Sequence, residues 1–228
     1  MAVDIRWLGH ACFQLEAGGT TVLVDPFLSG NPSAAASADD LEPDAVLLTH
    51  GHHDHFGDVV DIAKRTGATV VAITELADEL SGSLENVLDP NIGGTVQFDW
   101  GWVKLVPAWH TAVSPNGTPH TPAGLLINLG DRLVYHLGDT ALFSDLQLIA
   151  RRGDKVDVAL VPIGGHYTMD RYDAVTAVEF VQPRQVIPCH YNTFPPIETD
   201  AQAFKQDVEN AGFSEVVVLE PGDTHSVT

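Results

Sequence analysis

The sequence predicts an α/β fold in which two β-sheets stack in the middle and helices cover both outer faces. Two observations support this prediction. Short apolar or alternating segments, typical of strands, outnumber helical segments in each half of the chain, and the second half resembles the first. Strand-rich segments of this kind bury their apolar faces when two sheets pair and helices close the outer sides.

The first half of the chain begins with three predicted strands, and turn residues separate them. The pair Gly18-Gly19 divides the last two of these strands, as expected for a hairpin. The three strands are Asp4–Leu8, Cys12–Glu16 and Thr21–Asp25. A surface loop, a buried strand, a helix and a further strand are then predicted in order at Ser29–Pro43, Ala45–Thr49, Asp58–Thr66 and Thr69–Ile73.

The second half is predicted to contain seven strands and two helices. Asp170 is the expected N-cap of the first helix, because aspartate accepts hydrogen bonds from the first turn. The helices are Arg171–Val181 and Asp200–Ala211. The strands are Val96–Phe98, Val103–Pro107, Leu125–Leu129, Leu133–Leu137, Val156–Val161, Gln185–Pro188 and Val216–Leu219.

Composition limits the classes of partner. The chain has 228 residues, which suits one compact domain spanning residues 1–228. Its 31 acidic and 11 basic residues give a formal net charge of −20, which argues against binding long nucleic acids or anionic membranes. Two cysteines make a disulfide framework unexpected, and neither a signal peptide nor a membrane-spanning apolar run is visible. We therefore expect a cytoplasmic protein.

The strongest functional signal is the segment Thr49-His50-Gly51-His52-His53-Asp54-His55, between a predicted strand and a predicted helix. Neutral imidazoles and carboxylates are the ligands that Zn²⁺, Mn²⁺ and Fe²⁺ accept. In an extended segment His50 and His52 point to the same side, whereas Asp54 and His55 open the helix and face a second ion. The segment thus predicts a metal centre.

This segment resembles the H-x-H-x-D-H signature of the metallo-β-lactamase superfamily. That family's remaining ligands follow in order as His, Asp and His, and this chain offers His110, Asp139 and His190, each just past a predicted strand. The resemblance covers essentially the whole chain. Within the superfamily the chain is most similar to the short stand-alone metal-dependent hydrolases (UPF0173-like) related to ascorbate-phosphate lactonase. The segments that carry this closer likeness are Trp7-Leu8-Gly9-His10, Leu23-Val24-Asp25-Pro26 and Pro162-Ile163-Gly164-Gly165-His166-Tyr167.

The resemblance implies a four-layer αββα sandwich with two divalent ions bound at one edge of the sheets. It assigns His50, His52 and His110 to the first ion and Asp54, His55 and His190 to the second, with Asp139 between them. A water shared by two such ions, which lie about 3.5–4 Å apart, loses a proton near neutral pH and becomes the nucleophile. Zn²⁺ and Mn²⁺ are the expected ions, and the ligand set also admits Fe²⁺.

Further residues are expected near this centre. Asp54 is predicted to take part in catalysis as well as in metal binding. His10, in a turn between two early strands, and His166, after a glycine pair, are candidates to line the site or protonate the leaving group, with His120 as a weaker candidate. The resemblance also makes Asp25 an acceptor that orients a ligand histidine.

The predicted function is metal-dependent hydrolysis of a small molecule, in first place a phosphodiester or another small phosphorylated substrate. A lactone or other acyl ester is the alternative within the same mechanism, and a non-catalytic metal-binding or sensor protein is the alternative outside enzymes. Fold-level likeness does not separate these substrates. The sequence leaves the oligomeric state open, and a homo-oligomer is compatible with it.

Overall fold

The computed structural model describes residues 1–151 and 155–228, without the side chains at positions 150 and 151. The described residues contain six α-helices: α1 (His53–Phe56), α2 (Val59–Thr66), α3 (Thr74–Ser81), α4 (Gln147–Arg151), α5 (Arg171–Val181) and α6 (Ala201–Ala211). Short 3-10 helices lie at Ala38–Asp40, Ser144–Leu146 and Pro195–Ile197.

Sixteen strands accompany these helices in the described residues. They are β1 (Val3–Gly9), β2 (Cys12–Ala17), β3 (Thr20–Val24), β4 (Ala45–Leu47), β5 (Thr69–Val71), β6 (Val87–Leu88), β7 (Thr95–Phe98), β8 (Gly101–Pro107), β9 (Ala112–Val113), β10 (Pro119–His120), β11 (Ala123–Leu129), β12 (Arg132–His136), β13 (Val158–Pro162), β14 (Gln185–Cys189), β15 (Glu215–Val216) and β16 (Thr224–Val227).

The strands form two seven-stranded sheets that share one pattern, and β9 and β10 pair separately. The spatial order is β16-β1-β2-β3-β4-β5-β6 in the first sheet and β7-β8-β11-β12-β13-β14-β15 in the second. In each sheet the first four strands of this order pair antiparallel, and the remaining pairs are parallel. The similarity between the two halves of the sequence therefore corresponds to two sheets of equivalent topology.

One connected apolar core joins the sheets and the helices. The central strands of parallel pairing carry continuous apolar segments, such as Val158–Pro162, in which every residue is buried. Strands that are buried on both faces are expected to consist of continuous apolar residues, since helices cover one face and the opposing sheet covers the other. The two sheets also approach each other closely at Gly130, where an added Cβ would lie 3.0 Å from the Cβ of Ala17.

Most predicted elements are confirmed, with differences at their ends. Helix α5 occupies its predicted range, and the Asp170 carboxylate accepts hydrogen bonds from the backbone N–H groups of Tyr172 and Asp173. Helix α6 likewise begins after Asp200, whose side chain caps it. The predicted strand at Val216–Leu219 is instead the short β15, and Thr69–Ile73 is shortened to β5.

The sequence analysis did not predict helices α3 and α4, the short strands β6, β9 and β10, or the edge strand β16. Helix α3 follows Ile73, and no side chain caps its first turn, so the usual start signal is missing. Two-residue strands such as β6 carry too few residues to show a period. In the part of the chain that the structure describes, no helix has both the length and the apolar character needed to cross a membrane.

Candidate metal centre

The predicted ligands follow the ends of strands in both sheets: β4 belongs to the first sheet, and β12 and β14 flank β13 in the second. His50 to His55 follow β4, Asp139 follows β12, and His190 follows β14. The carboxyl ends of neighbouring parallel strands lie at the same edge of a sheet, so loops from these ends meet. His110 comes from the loop after β8 in the second sheet. The equivalent topology of the two sheets thus brings ligands from both halves of the chain together.

One group of three histidines comes from two loops. The ring atoms His50 Nε2 and His52 Nδ1 are 3.0 Å apart, and one ring nitrogen of each of His50, His52 and His110 lies within 4.8 Å of the others. His50 is fully buried, whereas His52 and His110 are partly open to the cavity described below. This group is the one expected to hold the first ion.

The second group contains the other three predicted ligands together with His10. Ligand atoms of His10, Asp54, His55 and His190 lie within 4.8 Å of one another. His190 Nε2 is 3.8 Å from Asp54 Oδ2, and His10 Nε2 is 3.1 Å from the same oxygen. The three side chains predicted for the second ion therefore lie close together, and His10 lies next to them.

Asp139 lies between the two groups. Its Oδ2 atom is 3.6 Å from His110 Nε2 and 3.2 Å from His190 Nε2. Its Oδ1 atom is 3.2 Å from His55 Nε2. Asp139 therefore contacts histidines of both groups, which is the position that the bridging ligand of two ions would take.

Unpaired buried atoms show that these residues fit divalent metal ions. His55 Nε2, Asp139 Oδ1 and both ring nitrogens of His190 are buried without a hydrogen bond. Buried polar atoms are normally hydrogen-bonded, so a cluster of buried imidazole nitrogens and carboxylate oxygens without hydrogen bonds is typical of a metal-binding site. Imidazole nitrogen with carboxylate oxygen is a donor set suited to Zn²⁺, Mn²⁺ and Fe²⁺.

The charge states of most of these side chains also suit metal binding. Burial lowers the pKa of His50, His52 and His110, so these rings are neutral at pH 7. Burial alone would raise the pKa of Asp139, but the neighbouring His190 and His55 outweigh it and keep that pKa well below its usual range. Metal ligands must be neutral imidazoles and ionised carboxylates, which is the state found here.

The pKa of His55 shifts in the opposite direction, because two carboxylates lie beside its ring. Burial acts to lower its pKa, but the charges of Asp139 and Asp25 outweigh burial and raise the pKa well above its usual value. Asp25 Oδ2 lies 2.7 Å from His55 Nδ1, and Asp25 also accepts hydrogen bonds from the backbone N–H and the hydroxyl of Thr49. This arrangement agrees with the expectation that Asp25 orients a ligand histidine, and it directs His55 Nε2 towards Asp139.

His10 is held in one orientation and one tautomer. It is fully buried, and burial is the main cause that lowers its pKa to about 4. The neutral ring donates from Nε2 to the Asp54 carboxylate at 3.1 Å, because a carboxylate only accepts. Its Nδ1 atom, 2.9 Å from Thr193 Oγ1, then accepts the hydroxyl hydrogen. The structure therefore supports His10 as a positioning residue for Asp54.

The other two histidine candidates lie differently. His120 Nε2 accepts the backbone N–H of Gly51 at 2.9 Å, and its Nδ1 lies 3.1 Å from the carbonyl oxygen of Thr118. Both ring nitrogens are thus engaged, and the bond from Gly51 helps to hold the loop that carries His50 and His52. His166 is exposed, and its ring packs edge-on against Tyr167 at 4.4 Å. Its predicted contact with substrate stays a prediction.

Strained backbone marks this region. Of the seven non-glycine residues with positive φ in the described chain, His10 (56°), Asp25 (46°) and His190 (53°) belong to the centre or support it. His166 has a φ of 55° in the loop beside it. Such conformations cost free energy and persist where the surrounding structure enforces them, often at functional sites.

A cavity of about 470 Å³ opens beside the ligands. Its lining combines four predicted ligands with aromatic and apolar side chains: Phe27, His52, His53, Asp54, His110, Thr111, Asp139, Tyr167, Phe194 and Pro196. The volume lies within the range of small-molecule sites. His53, which occupies an unassigned position of the H-x-H-x-D-H signature, is exposed here, with its ring 5.6 Å from that of Phe27.

Sequence reasoning missed several residues that build this site. Phe27, Phe194 and Thr193 carry no motif that would single them out. His136, which belongs to no motif of the sequence, accepts the backbone N–H of Gly138 at 3.0 Å and so helps to place the loop of Asp139. The sequence signal that could have indicated Phe27 is its position two residues after Asp25, in a turn that must approach the ligands.

The chain is similar in sequence to a known family of proteins. Residues 4–190 match the family model described as the β-lactamase superfamily domain. A UPF0173 metal-dependent hydrolase of Methanopyrus kandleri is 49% identical over 227 residues, covering 97% of this chain and 98% of that protein. Another, from Thermus thermophilus, is 45% identical over 222 residues, covering 97% of each chain.

A solved structure is similarly close. Igni18, a metallo hydrolase of the hyperthermophilic archaeon Ignicoccus hospitalis, is 38% identical with a TM-score of 0.92, covering 100% of this chain and 99% of that one. The metallo-β-lactamase fold protein YhfI of Bacillus subtilis has a TM-score of 0.76 at 14% identity, which concerns the fold alone. These likenesses confirm the predicted αββα fold.

Proposed function

The chain belongs to the β-lactamase superfamily and to its UPF0173 metal-dependent hydrolases, and from this premise we propose that it hydrolyses a small phosphodiester at a centre of two divalent ions. The single observation that carries the proposal is the position of Asp139, in contact with histidines of both groups. The first ion would be held by His50, His52 and His110. The second would be held by Asp54, His55 and His190, with Asp139 shared.

When bound, such ions lower the pKa of a shared water and polarise the scissile group. The chain's own residues set the geometry for this chemistry. His10 fixes the Asp54 carboxylate, and Asp25 fixes the His55 ring, each through a buried hydrogen bond. Hydrolysis joins the water oxygen to phosphorus, breaks the bond to the leaving oxygen, and moves one water proton to that oxygen. Asp54, which lines the cavity, is the side chain we assign to hold this proton.

A phosphodiester suits the site because it carries a single negative charge. The lining residues that the structure describes include neither lysine nor arginine, so the ions themselves would have to offset that charge. Doubly charged phosphate monoesters and long polyanions are disfavoured for the same reason, given the net charge of −20. Zn²⁺ and Mn²⁺ are the proposed ions, with Fe²⁺ compatible.

A second candidate is hydrolysis of a lactone or another neutral acyl ester. The observation that favours it is the same absence of a cationic side chain from the described lining, together with the aromatic wall of the cavity. A neutral carbonyl substrate needs no counter-charge at all. The non-catalytic alternative is weaker. Proteins that have lost activity usually lack some of the metal ligands, whereas all seven expected ligands are present in this chain and lie close together.

The test measures initial rates on bis(p-nitrophenyl) phosphate and on a six-membered lactone with the metal-stripped and the reloaded protein. We expect hydrolysis of the diester that requires Mn²⁺ or Zn²⁺, that falls at least 100-fold in Asp54→Ala, and that is unchanged in Asp78→Ala on the exposed side of α3. Lactone hydrolysis without diester hydrolysis would establish the second candidate. Two bound ions without turnover of either substrate would favour the non-catalytic alternative.

A further inference from the structure

The cavity beside the centre has two chemically different walls. One wall consists of the predicted ligands that it exposes, namely His52, Asp54, His110 and Asp139. The rest of the lining is mostly apolar and aromatic, and we call Phe27, Phe194, Tyr167 and Pro196 the second wall. Catalysis at metal ions requires only the first wall, so the second wall is available to recognise another part of the substrate.

The aromatic side is fixed relative to the ligands. Phe27 is only 2% exposed, and its ring centroid lies 6.4 Å from that of Phe194. Both rings also contact the ring of His10, at 5.8 Å and 5.6 Å respectively. Because His10 is itself hydrogen-bonded to Asp54 and Thr193, the two phenyl rings are placed at a set distance from the metal-binding carboxylate.

Two exposed aromatic side chains lie in the lining of the cavity or next to a lining residue in the chain. Tyr167 lines the cavity and is 55% exposed. Trp109, the residue before His110, is 68% exposed, and its backbone N–H donates to Thr140 Oγ1, next to Asp139. Large aromatic side chains exposed beside a pocket often mark a binding surface.

The same surface offers no lysine or arginine, among the lining residues that the structure describes, to pair with a second anion. Charged groups that leave water need an opposite charge or several hydrogen bonds. The described lining contains two carboxylates, Asp54 and Asp139, and neither lysine nor arginine. A substrate with an additional phosphate or carboxylate outside the scissile group would therefore be repelled or left unpaired.

Resting on the proposed hydrolase function, we infer that the substrate carries a flat apolar group, preferably aromatic, on the part of the molecule that does not leave when the scissile bond breaks. This group packs against Phe27, Phe194 and Tyr167, which line the same cavity. The substrate carries no charge beyond that of the scissile group. Sugar phosphates and dicarboxylate esters are thereby excluded as preferred substrates.

The test compares matched substrates on the metal-loaded full-length protein. One pair is p-nitrophenyl methyl phosphate and bis(p-nitrophenyl) phosphate, and a second is p-nitrophenyl acetate and p-nitrophenyl 3-phenylpropionate. The mono-p-nitrophenyl ester of succinate supplies the additional anion. We expect kcat/KM to be at least tenfold higher for the aryl member of each hydrolysed pair, and at least tenfold lower for the succinate ester than for the phenylpropionate.

Two variants assign this preference to the aromatic wall. Phe194→Ala and Tyr167→Ala should each reduce the aryl-to-methyl ratio several-fold, with little change for the methyl substrate. Phe213→Ala, which removes an exposed ring near the end of α6, should leave the ratio unchanged. Because Tyr167 is exposed, its variant keeps the test valid even if Phe194→Ala fails to fold. Equal kcat/KM for aryl and methyl substrates in the unmodified protein would overturn the inference.

A binding measurement separates failure of this inference from failure of the hydrolase proposal. Calorimetric titration of the metal-loaded protein should show phenylphosphonate binding at least tenfold more tightly than methylphosphonate, whether or not any substrate turns over. That difference should shrink in Tyr167→Ala. Absence of turnover with the binding difference intact would refute only the proposed function, whereas equal affinities would refute only the aromatic recognition.

Discussion

The Nδ1 atom of His55 lies 2.7 Å from Oδ2 of Asp25, and both side chains are fully buried. The carboxylate must accept here, so the hydrogen bond fixes Nδ1 as the donor and leaves Nε2 facing Asp139. Asp25 is in turn held by the backbone N–H and hydroxyl of Thr49. Asp25, which is not an expected metal ligand, thus fixes the ring orientation of the expected ligand His55.

Asp25→Asn should weaken metal binding without removing a ligand. The amide retains the size of the side chain but loses the charge that orients His55, and such changes cost about 10–100-fold in metal affinity. Competition with a chromogenic chelator measures Zn²⁺ affinity directly. Asp44→Asn is the matched control, since Asp44 is exposed and its carboxylate accepts only from the N–H of Thr21, at 2.8 Å, among the contacts described. Equal Zn²⁺ affinity in Asp25→Asn and the unmodified protein would contradict this role.

The metal-free protein should lose stability on acidification because His10 is buried in its neutral form. Its pKa is about 4 in the folded protein, against an ordinary value of 6.5. Between these values the unfolded chain binds a proton at His10 that the folded protein does not, so stability falls as pH falls. The slope from this residue is about 1.4 kcal/mol per pH unit, or about 3 kcal/mol across the window.

Denaturant unfolding of the metal-stripped protein between pH 6.5 and 4 measures this slope. His10→Gln retains a hydrogen-bond donor for Asp54 and does not titrate. The slope of its unfolding free energy against pH should therefore be smaller, by the amount that corresponds to about one proton bound on unfolding. The other buried histidines contribute to both proteins and cancel in the comparison. Identical slopes would show that His10 is not the buried neutral group described here.

Gly51 separates His50 from His52 at a place with no room for a side chain. A Cβ there would lie 2.9 Å from Cε1 of His120 and 3.1 Å from a methyl carbon of Leu76. Gly51→Ala should therefore lower the free energy of unfolding by about 1–3 kcal/mol, as overpacking does. In Gly82→Ala, at the end of α3 with φ of −68°, we expect a change within about 0.5 kcal/mol. Chemical denaturation of both metal-free variants decides between these outcomes, and equal stabilities would refute the crowding argument.

The cap of α5 offers a stability test remote from any ligand. Asp170 accepts hydrogen bonds from the N–H groups of Tyr172 and Asp173, each at 2.9 Å. Asp170→Ala should lower the free energy of unfolding by about 1 kcal/mol. Glu179→Ala, on the exposed face of the same helix, should be close to neutral. Chemical denaturation of both variants measures the difference. An unchanged denaturation midpoint in Asp170→Ala would contradict this role of the cap.

The sequence allowed prediction of the fold and the ligand cluster because both depend on local signals. The histidine segment, the isolated His110, Asp139 and His190, and the apolar strands before them are all visible as short patterns. The order of ligands in the chain was informative because each follows a strand end. Equivalent sheet topologies then place those strand ends together.

Other features of the site depend on contacts between distant residues and were not predictable in the same way. The hydrogen bond from Thr193 to His10 joins residues 183 positions apart. Phe27 and Phe194 form one wall only after both sheets have assembled. Helix α3 begins without a side-chain cap, so its start left no local sign in the sequence.

The central claim is that seven side chains assemble a centre for two metal ions around Asp139. The most direct test is the metal-to-protein ratio of the Zn²⁺-reconstituted protein, measured by native mass spectrometry beside Asp139→Ala. We predict two ions per chain in the unmodified protein, and at most one tightly held ion in the variant. A ratio of one or zero in the unmodified protein, or two in Asp139→Ala with unchanged affinity, would contradict the account.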